Sequence, residues 1–253
     1  MSTRRPLAFE ASYRVRFDEA GPNGLLRTSG FMRFAQDVAW QHSTALGFGR
    51  EWYAERGLTW LVRSAELRIE AGVPMGTELT ARTEVVAMRR VFARRRGEFR
   101  LDDGRLAGWV HTDWVMIDGR GALTRIPPIF GEIFGGLDAT GQIGRVALSD
   151  TPAEAELDRV VVRRHELDPM AHANNAVYLD WLEESIENAG DERRIVDALP
   201  RGYRMEYLAA VAEGDRVERA AWEVNRTWHV RLTLEGTGHE AFRALVAAED
   251  PPA

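Results

Sequence analysis

"HELDPMAHANNAVYLDWLEES", residues 165–185, places an acid, a histidine and two asparagines directly ahead of an apolar stripe that reaches Trp181. What it says about the fold comes from an earlier stretch that it repeats, "DEAGPNGLLRTSGFMRFAQDV", residues 18–38. Glu19 and Glu166 lie 166 − 19 = 147 positions apart, and the same offset pairs Pro22 with Pro169, Phe31 with Tyr178, and Phe34 with Trp181. The paired aromatics are three residues apart, the spacing of one helix face. The copies part company at their polar residues. Asp168, His172, Asn174 and Asn175 stand where the first copy has Gly21, Leu25, Arg27 and Thr28. Packing alone does not require that asymmetry.

Outward from these stretches, each half has the same order of elements. In the first, Tyr13 to Phe17 alternates as a strand, a turn-rich "DEAGPNG" follows, and Phe31, Phe34, Ala35, Val38 and Ala39 recur at helical spacing up to Gly47. A short helix around "REWYAERG" precedes four apolar runs, "LTWLVRSAELRI", "ELTARTEVVAM", "VFARRRGEFRL" and "RLAGWVHTDWVMI", separated as antiparallel strands are. The second half repeats this with a strand "RVVVRRHEL", a helix across "NNAVYLDWLEESIENAG", and a further set of strands. Between them the Gly- and Pro-rich stretch from about Arg125 to Asp158 holds neither period. We therefore expect an α+β chain with an N-terminal half at 1–130, a linker at 131–158 and a C-terminal half at 159–253.

Composition narrows the chemistry. The 253 residues are 45% apolar and 28% charged, the balance of a soluble protein with a sizeable core, and a net charge of -6 argues against a general nucleic-acid binder. No run approaches the roughly 18 apolar residues that span a membrane, and "MSTRRPLAFE" has no apolar signal core, so a cytoplasmic protein is expected. Cysteine is absent, which removes disulfides and a thiolate nucleophile, and all 33 basic residues are arginine, which removes Schiff-base lysines and a Walker lysine. No G-x-S-x-G elbow is present. His42, His111, His229 and His239 have no metal-ligand spacing, so neither metal nor cofactor is expected. Carboxylates, histidines, amides and backbone dipoles remain.

A helix starting near Asn174 leaves backbone N–H groups unpaired, and with its dipole it attracts negative charge such as an oxyanion. Asp168 and His172, in the segment ahead of it, can converge on a carbonyl held there. Taken singly, the structural reading comes first: Asn174 as an N-cap, Asp168 as the opening of an Asp-Pro turn and His172 as a loop residue. Their occurrence together in one copy of a repeat favours a site.

The pattern D-x-x-x-H-x-N-N-x-x-Y-x-x-W, here Asp168, His172, Asn174, Asn175, Tyr178 and Trp181, resembles the motif of acyl-ACP thioesterases and their hotdog-fold relatives. "FAQDVAWQHSTALG", "TWLVRSAEL" and "TDWVMIDGRGALTRIPP" are similar as well, so the resemblance covers nearly the whole chain. It implies a double hotdog, two long helices each wrapped by an antiparallel sheet, with the halves packed as a pseudo-dimer. It implies a catalytic set of Asp168, His172, Asn174 and Glu184, with Asn175 binding substrate. Plant members also use an asparagine two residues before the histidine and an acidic residue beside a cysteine on a later strand. Met170, Ala210 and Val211 stand at those places here, so the set is reduced.

The implied function is hydrolysis of a fatty acyl-carrier protein thioester, releasing free fatty acid. The acyl chain is expected in an apolar channel of the N-terminal half lined by Phe31, Phe34, Val38 and Trp60. Arg94, Arg95 and Arg96, in the run "MRRVFARRR", read either as a solvated strand or as a docking patch for the acidic carrier and its phosphopantetheine phosphate. An acyl-CoA thioesterase and a non-catalytic acyl-carrier binding protein are the alternatives, and a homodimer is compatible with the pattern.

Overall fold

The computed structural model describes residues 8–135, 137, 143–191 and 194–248. The chain divides into two units, Met1–Arg63 with Gly72–Ile143, and Ser64–Ala71 with Gly144–Ala253. The first contains β1 (Ala8–Arg14), α1 (Thr28–Ala45), α2 (Arg50–Glu55), β2 (Leu58–Ile69), β3 (Glu78–Arg89), β4 (Phe92–Leu101), β5 (Leu106–Asp118) and α3 (Pro128–Phe134). The second contains β6 (Leu157–Val161), α4 (Val177–Asn188), β7 (Arg201–Tyr207), β8 (Arg216–Val224), β9 (Thr227–Leu234) and β10 (Glu240–Ala247). Neighbouring strands run β1-β3-β4-β5-β2 in the first and β6-β8-β9-β10-β7 in the second, the same order twice. β2 crosses the division, and its end, Ser64–Ile69, pairs antiparallel with β7 as part of the second unit. Each unit is thus a long helix with an antiparallel sheet, and the fold is a double hotdog of the α+β class.

The helices form where the apolar spacing places them. α1 buries Phe31, Phe34, Ala35 and Val38; Phe31 meets Phe99 edge-on at 5.2 Å and Phe34 stacks on Tyr13 at 4.5 Å. Gly47, at φ 91°, sends its N–H to the Thr44 carbonyl and ends the helix. α4 buries Tyr178, Trp181, Leu182 and Ile186, with Tyr178 packed against Tyr207 and Phe242. Each fully buried aromatic of this kind stabilises the fold by about 1.5–3 kcal/mol.

Four expectations about elements are modified. The strand expected over Tyr13 to Phe17 instead runs Ala8–Arg14, and the exposed Phe17 opens a 3-10 turn that ends at Glu19. α4 begins at Val177 rather than near Asn174. The strand expected through "RVVVRRHEL" stops at Val161 and becomes a 3-10 turn at Arg164–Glu166. Within the stretch expected as linker, α3 runs to Phe134 and the later residues are tied to the second sheet. There the Val146 N–H donates to the Glu206 carboxylate at 3.2 Å and the Ser149 N–H to His229 Nδ1 at 3.2 Å, while Ser149 Oγ accepts from Trp222 Nε1 at 2.8 Å. Among the described residues no helix is long and apolar enough to cross a membrane.

Candidate active site

The turn ahead of α4 is a second casting of the turn ahead of α1. In the first unit the N–H of Gly21 donates to Leu25 O, that of Gly24 to Gly21 O and that of Arg27 to Glu19 O. In the second, Asp168 donates to His172 O, Ala171 to Asp168 O and Asn174 to Glu166 O, each bond displaced by the same offset. Both turns follow a 3-10 segment in which the carboxylate of Glu19 or Glu166 accepts the N–H of Arg16 or Arg163. Glu166 also accepts the Trp181 indole N–H at 3.0 Å, locking the turn to α4. Gly24 and Ala171 occupy the one left-handed position, at φ 74° and 61°, which an alanine adopts at some cost.

On this shared frame the polar side chains divide into those the fold engages and those it does not. Asp168 Oδ1 accepts the N–H of Met170 at 2.7 Å and lies 3.5 Å from the N–H of His172. Asn174 Oδ1 accepts the Ala176 N–H at 2.9 Å, and the Asn174 carbonyl accepts the Val177 N–H at 2.8 Å. Asn174 therefore closes a turn just ahead of α4, whose N-cap is Ala176 without a side-chain cap, and two of the N–H groups expected to face an oxyanion are already paired. Among the described residues Asp168 Oδ2, the His172 ring and the Asn175 carboxamide carry no hydrogen bond. All three side chains are partly exposed.

Residues that spacing did not single out complete the surroundings. The Tyr207 hydroxyl donates to the Asn175 carbonyl at 3.1 Å, fixing that residue's backbone from β7. Asp215 accepts the Ala212 N–H at 2.8 Å, and Ala212 bridges to His172. Burial pushes the Tyr178 phenol far above its ordinary pKa, and the charges of Asp168 and Asp215 push it the same way. Tyr178 therefore stays a neutral wall under the turn. Alternation in "YRMEYLAAV" marks Tyr207 as strand, but nothing local marks it as a partner of residue 175. Met170 is exposed and Val211 is fully buried, with its carbonyl accepting the Ala173 N–H.

Glu184 lies elsewhere in the bonding pattern. It pairs with Arg219 on β8, which also pairs with Asp158 on β6, while Asn188 donates to Asp158 at 2.9 Å. At the common offset Glu184 and Asn188 match Asp37 and Gln41, and in the first unit the Tyr13 hydroxyl and the Gln41 amide both donate to Asp37, at 2.6 and 2.7 Å. In both copies, then, these helix positions tie the helix to its sheet.

Phe31, Phe34 and Val38 are buried in the packing of α1, and Trp60 donates its indole N–H to Tyr53 at 3.1 Å beside an aromatic cluster around Phe130 and Phe134. The three arginines do not form one surface. Arg94 makes a two-pronged pair with Asp113 at 2.7 and 2.9 Å, Arg96 pairs with Glu98 at 2.6 Å, and Arg95 turns to the other face of β4, toward His42 on α1.

The profile of the acyl-ACP thioesterase N-terminal domain matches residues 6–133, and that of the acyl-ACP thioesterase C-terminal domain matches residues 149–244. Among solved structures, an acyl-ACP thioesterase from Bacteroides thetaiotaomicron is similar with TM-score 0.78 and 17% identity, covering 95% of this chain and 97% of that one. A 12:0-ACP thioesterase from Umbellularia californica is similar with TM-score 0.78 and 19% identity, covering 96% of this chain and 97% of that one. No curated protein matches the chain by sequence.

Proposed function

We propose that Asp168 is the reacting carboxylate of this chain, which belongs to the acyl-ACP thioesterase family and is a thioester hydrolase. The reading rests on one observation: three polar groups not engaged by the fold, Asp168 Oδ2, the His172 ring and the Asn175 carboxamide, share a single turn that the other unit builds without them. The substrate is a fatty acyl group on acyl carrier protein. In the base route Asp168 Oδ2 takes a proton from water as the water oxygen attacks the thioester carbonyl; the tetrahedral intermediate then expels the thiolate, which recovers the proton and leaves as thiol, and the acid remains. In the nucleophile route Oδ2 attacks the carbonyl, the thiolate leaves, and water opens the resulting anhydride. In either route Asn175 N–H groups face the oxyanion and His172 orients substrate or water. Glu184, held by Arg219, stays outside the chemistry as a positioning residue.

Thiol release measured over a panel of acyl-ACP lengths, with matched acyl-CoA, tests the reading. Release from acyl-ACP is expected to exceed that from acyl-CoA in kcat/KM, and no release from any member would overturn it. Single turnover in oxygen-18 water separates the routes, because label retained in Asp168 requires the anhydride.

A further inference from the structure

On β4, Arg95 and Phe99 lie on one face, and Phe99 meets Phe31 of α1 there. Arg95, partly buried on this face, points toward a mixed set of polar and aromatic side chains. Its Nη1 lies 2.9 Å from His42 Nδ1 and 3.3 Å from Thr83 Oγ1. A guanidinium only donates, so Nδ1 must accept and the proton of a neutral His42 sits on Nε2. Next to it Ser43 Oγ and the Trp60 indole contact the Tyr53 hydroxyl, each at 3.1 Å. Among the described residues no carboxylate pairs with Arg95, although Arg94 and Arg96 on either side each have one. Enclosure lowers its pKa to about 10, so it remains charged at neutral pH. A partly buried cation without an anionic partner carries a desolvation cost that a bound anion would offset. The neighbouring wall is aromatic: Phe134 meets His42 edge-on at 6.1 Å, and Phe130 stacks on Phe48 at 4.4 Å.

We infer that Arg95 is a carboxylate-binding point in the first unit, taking the anionic end of an otherwise apolar chain that lies against this aromatic wall. The inference rests on the thioesterase reading, because the chain is either the acyl group itself, with a carboxylate at its far end, or the free fatty acid released from it. The nitrogen set offers donors, which selects a carboxylate over an amine or a methyl terminus.

The test titrates the full chain with dodecanoate and with methyl dodecanoate, for the native protein, Arg95→Met and Arg95→Lys. Dodecanoate should bind the native protein about tenfold or more tighter than the ester, Arg95→Met should remove that difference, and Arg95→Lys should recover part of it. A kinetic arm separates the two sources. If the acyl group supplies the carboxylate, the thioester of dodecanedioic half-acid outruns dodecanoyl thioester in kcat/KM, and Arg95→Met abolishes that preference; if the product supplies it, dodecanoate inhibits competitively and Arg95→Met relieves the inhibition. Equal binding of acid and ester by the native protein overturns the inference without any variant, as does unchanged dodecanoate affinity in folded Arg95→Met. Absence of thiol release in the native protein would count against the thioesterase reading instead, since the titration does not depend on turnover.

Discussion

Asp168 and Glu184 are two carboxylates of one unit with opposite circumstances, and a pair of isosteric substitutions separates their roles. Asp168→Asn removes the charge at Oδ2 with little change of shape, and kcat should fall by about 100-fold or more while the melting temperature holds. Glu184→Gln should leave kcat within about twofold and lower stability by about 1 kcal/mol or less, since Glu184 is more than half exposed and Arg219 keeps Asp158. Thioester kinetics and thermal melts on both variants check this; full activity in Asp168→Asn, or a large kcat loss in Glu184→Gln, would reverse the assignment. The residue types of the turn were legible in the sequence, because Asp168 and His172 stand out against Gly21 and Leu25. Which of them the fold engages was not. Asn174 and Asn175 are adjacent and identical in type, yet only the first folds its side chain back onto a backbone N–H. Glu184 finds its partner 35 residues away, beyond any local pattern.

At the scale of elements, the β3–β4 hairpin turns the arginine run into two populations. Arg89, Arg90 and Arg96 are exposed, with Arg90 in the left-handed turn itself, whereas Arg95 is on the inner face. Strand alternation already carried this division, since neighbours in a strand point to opposite faces; charge clustering read without the period hides it. Replacing Arg89, Arg90 and Arg96 together by Ala should raise KM for acyl-ACP and flatten its dependence on salt, with small acyl thioesters hydrolysed as before. Unchanged acyl-ACP kinetics would remove the hairpin from carrier docking. In the other unit, the segment through Ser149 lies on β8 and β9 by way of His229, whose Nδ1 must be unprotonated to accept the Ser149 N–H. Burial lowers the His229 pKa, so the unfolded chain takes the proton first, at about pH 6.5. The stabilisation is therefore full above that pH and is lost as pH falls through the folded value. Below about pH 6.5 the native melting temperature should drop more steeply than that of His229→Asn, whose amide oxygen accepts at any pH; parallel curves would contradict the role given to His229.

At the scale of the whole molecule, the double pattern was readable because one offset governs the aromatic stripe and the turn ahead of each long helix, and the strands follow in the same order. The one connection it did not reveal is that β2 continues from the first unit into the second, because a twelve-residue strand reads the same whichever unit receives its end. A fragment of residues 144–253 therefore lacks Ser64–Ile69 and leaves one side of β7 without its ladder. It should dimerise or aggregate, and joining residues 64–71 to it through a flexible linker should restore a monomeric, cooperative melt. Sedimentation of the two forms decides; a monomeric fragment without the strand would refute the dependence. The same strand also sets a clock. Ser64 pairs with Glu206, 206 − 64 = 142 residues later, and at the usual synthesis rate of about 5–20 residues per second its partner emerges roughly 7–28 s after it. For that interval on the ribosome a strand end with Ala65, Leu67 and Ile69 uncovered waits with its hydrogen-bonding edge open, so the nascent chain should bind a holdase chaperone from the emergence of β2 until β7 has been made.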